Sequence, residues 1–326
     1  MLHQELARKL TALVAASLVS FCAGAQEFPS KPLRIIVPYP GATGPDLVTR
    51  GLANGMSKLL GQNVLVENKQ GGGGVPAILD LKNAPPDGYL MLMVDPGHWA
   101  AFPALRNDLP YDPVRDFAPV GFIYQNGLFF FVSASSPIKT LGDLVARAKD
   151  KPGTLKYGVT GVGGIMHFVG EAFRISAGVD TLAVPFRASN ESVTAVLGGD
   201  LDYAVAGLSS LRALSNAGRL RILATSSAKR DKYVPEAPSV VEAAGIKEFN
   251  FAAEIGLLAL AGTPKPIIDR LARALRDAQK DAPYLDALKK LEYDVAIAGP
   301  EEFAAIIRKD LERFRVIAKT ANIKVQ

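Results

Sequence analysis

Residues 33–46 read L-R-I-I-V-P-Y-P-G-A-T-G-P-D, an apolar run rich in isoleucine and valine followed by a turn of glycine and proline. Apolar residues then recur at helical spacing, at Val48, Leu52, Met56 and Leu59. The pattern predicts a strand ending at Val37, a turn, and a helix beginning near Asp46. Such a turn directs free backbone N–H groups and the positive end of a helix dipole towards one place, which suits an anion.

Residues 157–171 repeat this organisation with Y-G-V-T-G-V-G-G-I-M-H-F-V-G-E. Strand-like and helix-like segments alternate through the remaining chain, which predicts an α/β fold with mainly parallel sheets. In such folds ligands bind beyond the carboxyl ends of strands. We therefore expect two α/β domains that close on one small molecule, with two helix N-termini directed at it.

Further strands are predicted near residues 63–68, 89–94, 128–132, 155–159, 181–186, 201–206, 220–225 and 255–260, and helices near 265–280 and 300–320. The aromatic run Phe129–Phe131 is predicted to lie in the core of a sheet. No linker rich in serine, proline or charge divides the chain.

The N-terminus has the pattern of a secretion signal. Arg8 and Lys9 precede a short apolar stretch, and Ala23-Gly24-Ala25 provides a small-residue cleavage site. We expect residues 1–25 to be removed after Ala25 and the mature protein to be periplasmic. The single cysteine, Cys22, also permits a lipoprotein, although the preceding Phe21 is unlike the small residue of lipid-attachment sites.

Several classes of function lack support in the sequence. The net charge of +5 is spread along the chain without a basic run, so nucleic-acid binding is not expected. The glycine run Gly71–Gly74 fits neither nucleotide-binding motif, and it is either a helix-entry turn or a place where bare backbone approaches a ligand. No G-x-S-x-G is present, and His98 and His167 lack metal-binding spacing. We expect no catalysis, no metal and no cofactor.

Seven segments occur in a characteristic order: F-P-S-K-P-L-R-I-I-V-P-Y-P-G, V-E-N-K-Q-G-G-G-G, P-P-D-G-Y, L-P-Y-D-P-V-R-D-F-A-P-V, L-G-G-D-L-D, A-G-R-L-R-I-L-A and L-A-G-T-P-K-P. In them the chain resembles the Bug/TctC extracytoplasmic solute receptors of tripartite tricarboxylate transporters. The resemblance implies a periplasmic binding protein fold of type II, with two α/β domains joined by a hinge of two crossovers. It also implies a small carboxylate-bearing ligand and two integral membrane partners, one large and one small.

On this basis we predict that residues 26–125 and 254–326 form one domain and residues 126–253 the other, with hinges near 123–127 and 252–255. The predicted ligand-binding residues are Tyr39, Gly41, Ala42, Thr43, Gly44, Asp46, Trp99, Thr160, Gly161, Gly163, Gly164, Ile165, His167, Gly207 and Glu254. The first loop departs from the family pattern P-P-G-G-x-x-D, because the glycines are shifted in Gly41-Ala42-Thr43-Gly44-Pro45-Asp46.

Four of these residues have two interpretations each. Asp46 either caps its helix, with backbone N–H groups of residues 42–46 contacting the ligand, or contacts the ligand itself. His167 either makes a local hydrogen bond or binds ligand, and Trp99 either packs in the core or faces the cleft. Glu254 either lies at a solvated edge or adds a carboxylate to the site.

The resulting expectation is a monomeric periplasmic receptor that captures a small organic acid by hinge closure and passes it to a membrane transporter. Apolar Ile165 and Met166, with few hydroxyl groups nearby, favour a monocarboxylate with an apolar body over a triacid. The alternatives are a receptor that signals to a membrane sensor kinase and a secreted hydrolase of small acids.

Overall fold

The computed structural model describes residues 27–186 and 189–323. The strands are β1 Leu33–Val37, β2 Val64–Asn68, β3 Leu90–Val94, β4 Phe117–Asn126, β5 Leu128–Ser133, β6 Lys156–Thr160, β7 Leu182–Phe186, β8 Tyr203–Gly207, β9 Leu220–Thr225, β10 Ala253–Leu260 and β11 Asp294–Val295. The α-helices are α1 Gly44–Leu60, α2 Val75–Lys82, α3 Phe102–Leu105, α4 Leu141–Asp150, α5 Ile165–Ala177, α6 Ser189–Gly198, α7 Leu208–Asn216, α8 Val240–Ala244, α9 Lys265–Ala278, α10 Ala282–Leu291 and α11 Pro300–Thr320.

Two mixed sheets form two α/β domains. The first sheet has the order β11-β4-β10-β3-β1-β2, with β1 parallel to β2 and β3 and with β10 antiparallel to β3 and β4. The second has the order β7-β6-β8-β5-β9, with β6 parallel to β7 and β8 and with β5 antiparallel to β8 and β9. The expectation of mainly parallel sheets is wrong, because β10 runs against β3 and β4, β11 runs against β4, and β5 runs against β8 and β9.

The chain passes between the two sheets twice. Only Gly127 separates β4 of the first sheet from β5 of the second, and the chain is back in the first sheet from Ala253 onwards. The predicted hinge segments lie at these passages. We keep the division into residues 26–125 with 254–326, and 126–253, as a proposal.

Helix α11 packs across both domains at the side of the crossovers. The Phe303 ring lies 5.2 Å from the Trp99 ring and 4.6 Å from the Phe122 ring of the first domain, measured between centroids. The Phe314 ring lies 4.6 Å from Phe168 of α5 in the second domain. The C-terminal helix thus contacts elements of both domains in this conformation.

Strand β5 has apolar residues on both of its faces. Phe129, Phe130 and Phe131 are all fully buried, with Phe130 packing on Phe173 of α5 at 4.8 Å between ring centroids. The neighbouring Phe129 and Phe131 belong to the core on the α6 side of the sheet, because side chains alternate along a strand. The predicted core role of this run is confirmed.

Within the described residues, no helix is both long and apolar enough to cross a membrane.

Candidate functional site

A cavity of about 390 Å³ lies between the two domains. The first domain lines it with three loops, each following a parallel strand: Pro38 and Tyr39 after β1, Gly71, Gly73 and Gly74 after β2, and Asp95, Gly97, His98 and Phe102 after β3. The second domain contributes the beginning of α5, at Gly164, Ile165 and Met166. The three loops meet because the carboxyl ends of parallel strands share one edge of a sheet.

Two depressions elsewhere are larger, at about 570 Å³ between α6 and α7 and about 550 Å³ beside α11. The smaller cavity is the candidate site because strand-end loops of one domain face a helix N-terminus of the other there. Its volume is within the range of small-molecule sites, roughly 300–1,000 Å³.

The glycine run brings bare backbone to the cavity wall. Gly71, Gly72, Gly73 and Gly74 all have positive φ, between 55° and 102°, and the last three form a tight 3₁₀ turn that leads into α2. A Cβ atom on Gly74 would collide with Nε2 of His98. Glycine at position 74 therefore serves both the left-handed backbone and the close approach of the His98 ring.

Asp95 is held at the first-domain wall by its neighbours. Its Oδ2 accepts a hydrogen bond from the Tyr39 hydroxyl, and its Oδ1 lies 2.8 Å from Nδ1 of His98 and 3.3 Å from the His98 backbone nitrogen. Burial alone would raise the pKa of Asp95, but the His98 ring and these hydrogen bonds lower it to about 2. Burial and the Asp95 charge raise the pKa of Tyr39 well above its usual value, so its hydroxyl stays protonated and is the donor of this hydrogen bond. Asp95 is therefore an ionised carboxylate at neutral pH.

The second-domain wall offers the opposite electrostatic character. The N-cap residue of α5 is Gly164, which has no side chain to cap the helix. The N–H groups of Ile165 and Met166 find no acceptor among the described residues, whereas the N–H of His167 bonds to the carbonyl of Gly164. Two free donors at the positive end of a 13-residue helix can hold a carboxylate.

The sequence profile described as the tripartite tricarboxylate transporter family receptor, TctC, matches residues 48–323. The chain belongs to this family. The resemblance to Bug/TctC receptors carried by the sequence motifs is thereby confirmed, and the family makes the chain a periplasmic solute-binding receptor.

This receptor has similar relatives, two of which were solved with a carboxylate. An Agrobacterium vitis protein from the TAR-I ttuE-ttuC' intergenic region is 33% identical over 285 residues, which are 87% of this chain and 82% of the relative. Rpa4515 of R. palustris, solved with adipate, is 26% identical with a TM-score of 0.76 and covers 91% of this chain and 99% of its own. MatC of Rhodopseudomonas palustris, solved with bound malate, is 26% identical with a TM-score of 0.73, covering 89% and 99%.

Of the predicted binding residues, Tyr39, Gly164 and Ile165 line the cavity of this receptor. Gly41, Ala42, Thr43, Gly44 and Asp46 do not line it. Asp46 is 2% exposed and turns back on its own loop. Its carboxylate accepts hydrogen bonds from the Ala42 backbone at 2.9 Å, from Arg50 Nε at 3.1 Å and from Asn68 Nδ2 at 2.9 Å. The interpretation of Asp46 as a residue of the helix start is favoured, but the Ala42 N–H expected to contact the ligand is already bonded.

Gly161, Gly163 and His167 of the second predicted loop support the turn rather than line the cavity. Nδ1 of His167 accepts a hydrogen bond from the Gly163 N–H at 3.1 Å, and the Gly164 N–H bonds to the carbonyl of Gly161 at 3.0 Å. Burial lowers the pKa of His167, and this effect is larger than the opposing effect of the Glu171 charge. The lowered pKa favours the neutral imidazole, which can accept this hydrogen bond. Thr160 ends β6, and its side chain lies outside the described part of the structure.

Trp99 packs in the core and does not reach the cavity. Its ring is fully buried, and its Nε1 donates to Oδ2 of Asp310 at 3.1 Å. The interpretation of Trp99 as a core residue is favoured, because the π-helical turn Gly97–Ala101 that follows β3 directs His98 to the cavity and the next side chain inwards.

Glu254 and Gly207 also lie apart from the cavity lining. Glu254 pairs with Gln125 in the β10–β4 ladder at the crossover. Its pKa is raised to about 7 by burial and by Asp310, against the opposing effect of Arg313. Gly207 is buried as the N-cap residue of α7. For all predicted residues, contact with a ligand stays a prediction.

Sequence reasoning left Pro38, Gly97 and Phe102 out of the site and did not assign Asp95 or His98 to it. The signal was present, because Asp95 and His98 follow an apolar strand directly, at its carboxyl end. The second interpretation of Gly71–Gly74, bare backbone next to the ligand, is the one that the cavity favours.

Proposed function

We propose that this receptor captures a small carboxylate-bearing organic molecule in the cavity between its domains and delivers it to a tripartite tricarboxylate-type transporter. The observation that carries the proposal is the uncapped start of α5, whose Ile165 and Met166 N–H groups meet a cavity lined by the other domain. The adipate and malate bound in the two solved relatives support a carboxylate ligand.

The mechanism is closure about the two crossovers. A ligand held by α5 on one side and by the loops after β1, β2 and β3 on the other makes its full set of contacts only when the domains are close together. It therefore shifts the population towards the closed form. The membrane subunits would recognise that form.

The proposal includes export and processing. The mature receptor begins after Ala25, acts as a monomer in the periplasm, performs no catalysis, and meets one large and one small integral membrane subunit. A receptor that reports to a sensor kinase would use the same closure, and pull-down from membranes with the closed form separates these partners.

The test uses the mature chain, residues 26–326, against a library of small mono- and dicarboxylates in a thermal-shift screen followed by calorimetry. We expect at least one acid to bind, because ligand at about 100 times its dissociation constant adds about 2.7 kcal/mol of stability. Small-angle scattering should show a smaller radius of gyration with that acid. Sodium chloride at equal ionic strength is the control, and mass spectrometry should recover the acid unchanged. Failure of every acid to bind, or chemical conversion of the bound acid, would contradict the proposal.

A further inference from the structure

The cavity wall opposite α5 contains the carboxylate of Asp95. Asp95 belongs to the first domain and Ile165 to the second, and both line the cavity. A ligand that bridges the domains therefore meets a helix N-terminus at one end and a carboxylate at the other. The helix N-terminus attracts a negatively charged group of the ligand, and the carboxylate attracts a positively charged one.

The described cavity lining offers little to neutralise a second ligand carboxylate. It contains no lysine and no arginine. His98 is the nearest basic group, and its Nδ1 lies 2.8 Å from Oδ1 of Asp95, so the ring is turned towards that carboxylate. Buried charge needs a partner of opposite sign or hydrogen bonds directed at it, and a carboxylate placed next to Asp95 would meet a like charge with no lysine or arginine among the described lining residues.

Asp95 retains room for one more donor. A carboxylate has about four acceptor positions on its two oxygens. On Oδ1 they face the His98 ring and the His98 backbone N–H, while on Oδ2 one accepts from Tyr39. Tyr39 is the one donor to Oδ2 among the described residues, and the Asp95 side chain is 17% exposed.

Between the two ends the wall is apolar. Pro38, Phe102, Ile165 and Met166 provide carbon surface, and the glycines provide bare backbone. An apolar body fits this part of the cavity better than a chain of hydroxyl groups, since no described serine, threonine, asparagine or glutamine lines it.

We propose that the ligand is an amino monocarboxylate with an apolar body, whose carboxylate binds the N–H groups of Ile165 and Met166 and whose ammonium group donates to Asp95. Asp95 is then the specificity residue that rejects dicarboxylates. This inference rests on the proposed function. The extra carboxylate of the site is then Asp95, whereas one interpretation of the sequence assigned this role to Glu254.

Calorimetry on the mature chain with three matched series tests it. The zwitterions are β-alanine, γ-aminobutyrate, δ-aminovalerate and ε-aminocaproate. The dicarboxylates of equal chain length are succinate, glutarate, adipate and pimelate, and the acids with an uncharged tail are butyrate, valerate, caproate and heptanoate. At the best-fitting length we expect the zwitterion to bind at least about tenfold more tightly than both matched acids, a factor equal to about 1.4 kcal/mol.

The variant Asp95→Asn should bind that zwitterion at least about tenfold less tightly and should bind the matched dicarboxylate more tightly than the wild type does. The matched control is Asp108→Asn, which removes a carboxylate from the same domain where its side chain is 74% exposed and outside the cavity. It should leave all affinities unchanged.

The order of affinities that the wild-type protein shows for the three series tests the inference even if Asp95→Asn does not fold. A dicarboxylate that binds as tightly as the matched zwitterion overturns the inference and leaves the proposed function standing. An unchanged ranking in a folded Asp95→Asn protein also overturns it. If no compound of the three series binds, the inference and the proposed carboxylate ligand both fall.

Discussion

The turn after β1 and the turn after β6 share one sequence pattern, a strand, a glycine-rich turn and a helix. They differ in the hydrogen bonds at the helix start. At the first turn, Asp46 sits three positions into α1 and accepts the Ala42 N–H at 2.9 Å, so a carboxylate of the protein itself lies at this helix start. At the second, the corresponding helix start has no acidic residue in its first turn, and the N–H groups of Ile165 and Met166 have no acceptor among the described residues. The comparison teaches that an acidic side chain in the first turn of a glycine-rich helix entry competes with an anionic ligand for that site.

The largest effect is expected when the bonding of the first turn is removed. Asp46→Ala leaves the Ala42 N–H, Asn68 and Arg50 without their shared acceptor. We expect a loss of about 2–3 kcal/mol in the free energy of unfolding, measured by urea denaturation. The control is Asp80→Ala, which breaks an exposed pair with Lys69 and should cost under about 0.5 kcal/mol. The comparison fails if Asp46→Ala is as mild as the control.

The second turn should show the opposite behaviour, a loss of affinity with little loss of stability. Proline suits the first position of a helix, so Ile165→Pro deletes one free N–H and keeps α5. A hydrogen bond to a charged group contributes about 1.5–3 kcal/mol, and calorimetry with the tightest-binding acid should show affinity reduced by about ten- to a hundredfold. Ile165→Val, which keeps the N–H, should change affinity by less than about threefold. An unaffected Ile165→Pro protein would mean that this donor does not hold the ligand.

The first turn should also be sensitive to acid. Burial raises the pKa of Asp46, but the hydrogen bonds from Arg50, Ala42 and Asn68 and the Arg50 charge lower it overall. The folded state then holds fewer protons than the unfolded state, so the stabilisation is present above the ordinary aspartate pKa of about 3.9 and is lost as the pH falls through the lowered value. The stability difference between wild type and Asp46→Asn, followed by urea denaturation, should shrink below about pH 4. A difference that is constant with pH would show that the charge of Asp46 contributes nothing.

The smallest effect concerns the backbone of the first turn. Ala42 has φ of 63°, a left-handed conformation that disfavours residues with a Cβ atom. Ala42→Gly should therefore stabilise the protein by up to about 1 kcal/mol in thermal or urea unfolding. Ala146→Gly, in the exposed face of α4, should instead destabilise it by about 1 kcal/mol. Destabilisation by both changes would rule out strain at residue 42.

The sequence was sufficient for most of the strand–turn–helix units. The strands at 33–37 and 220–225 and the helix at 300–320 have the bounds that periodicity predicts. These segments are regular because one face of each is buried throughout. Strand β4 was missed, because Pro119 and Gly121 interrupt its pattern and its pairing with β10 shifts register twice.

The site was predicted less completely than the fold. Periodicity identifies a helix start, but the orientation of the acidic side chain there depends on donors such as Asn68, which is distant in sequence from Asp46. The orientation of Trp99 depends on a π-helical turn that no periodic pattern predicts. Asp95 and Glu254 look alike in sequence, as single acids next to apolar strands, and only tertiary structure separates a cavity wall from a crossover.

The most direct test is a crystal structure of the mature receptor with its tightest-binding acid. We predict the ligand carboxylate within hydrogen-bond distance of the backbone nitrogens of Ile165 and Met166, inside a cavity closed by the loops after β1, β2 and β3. A carboxylate bound instead at the turn of residues 41–46, or outside the cavity, would contradict the account.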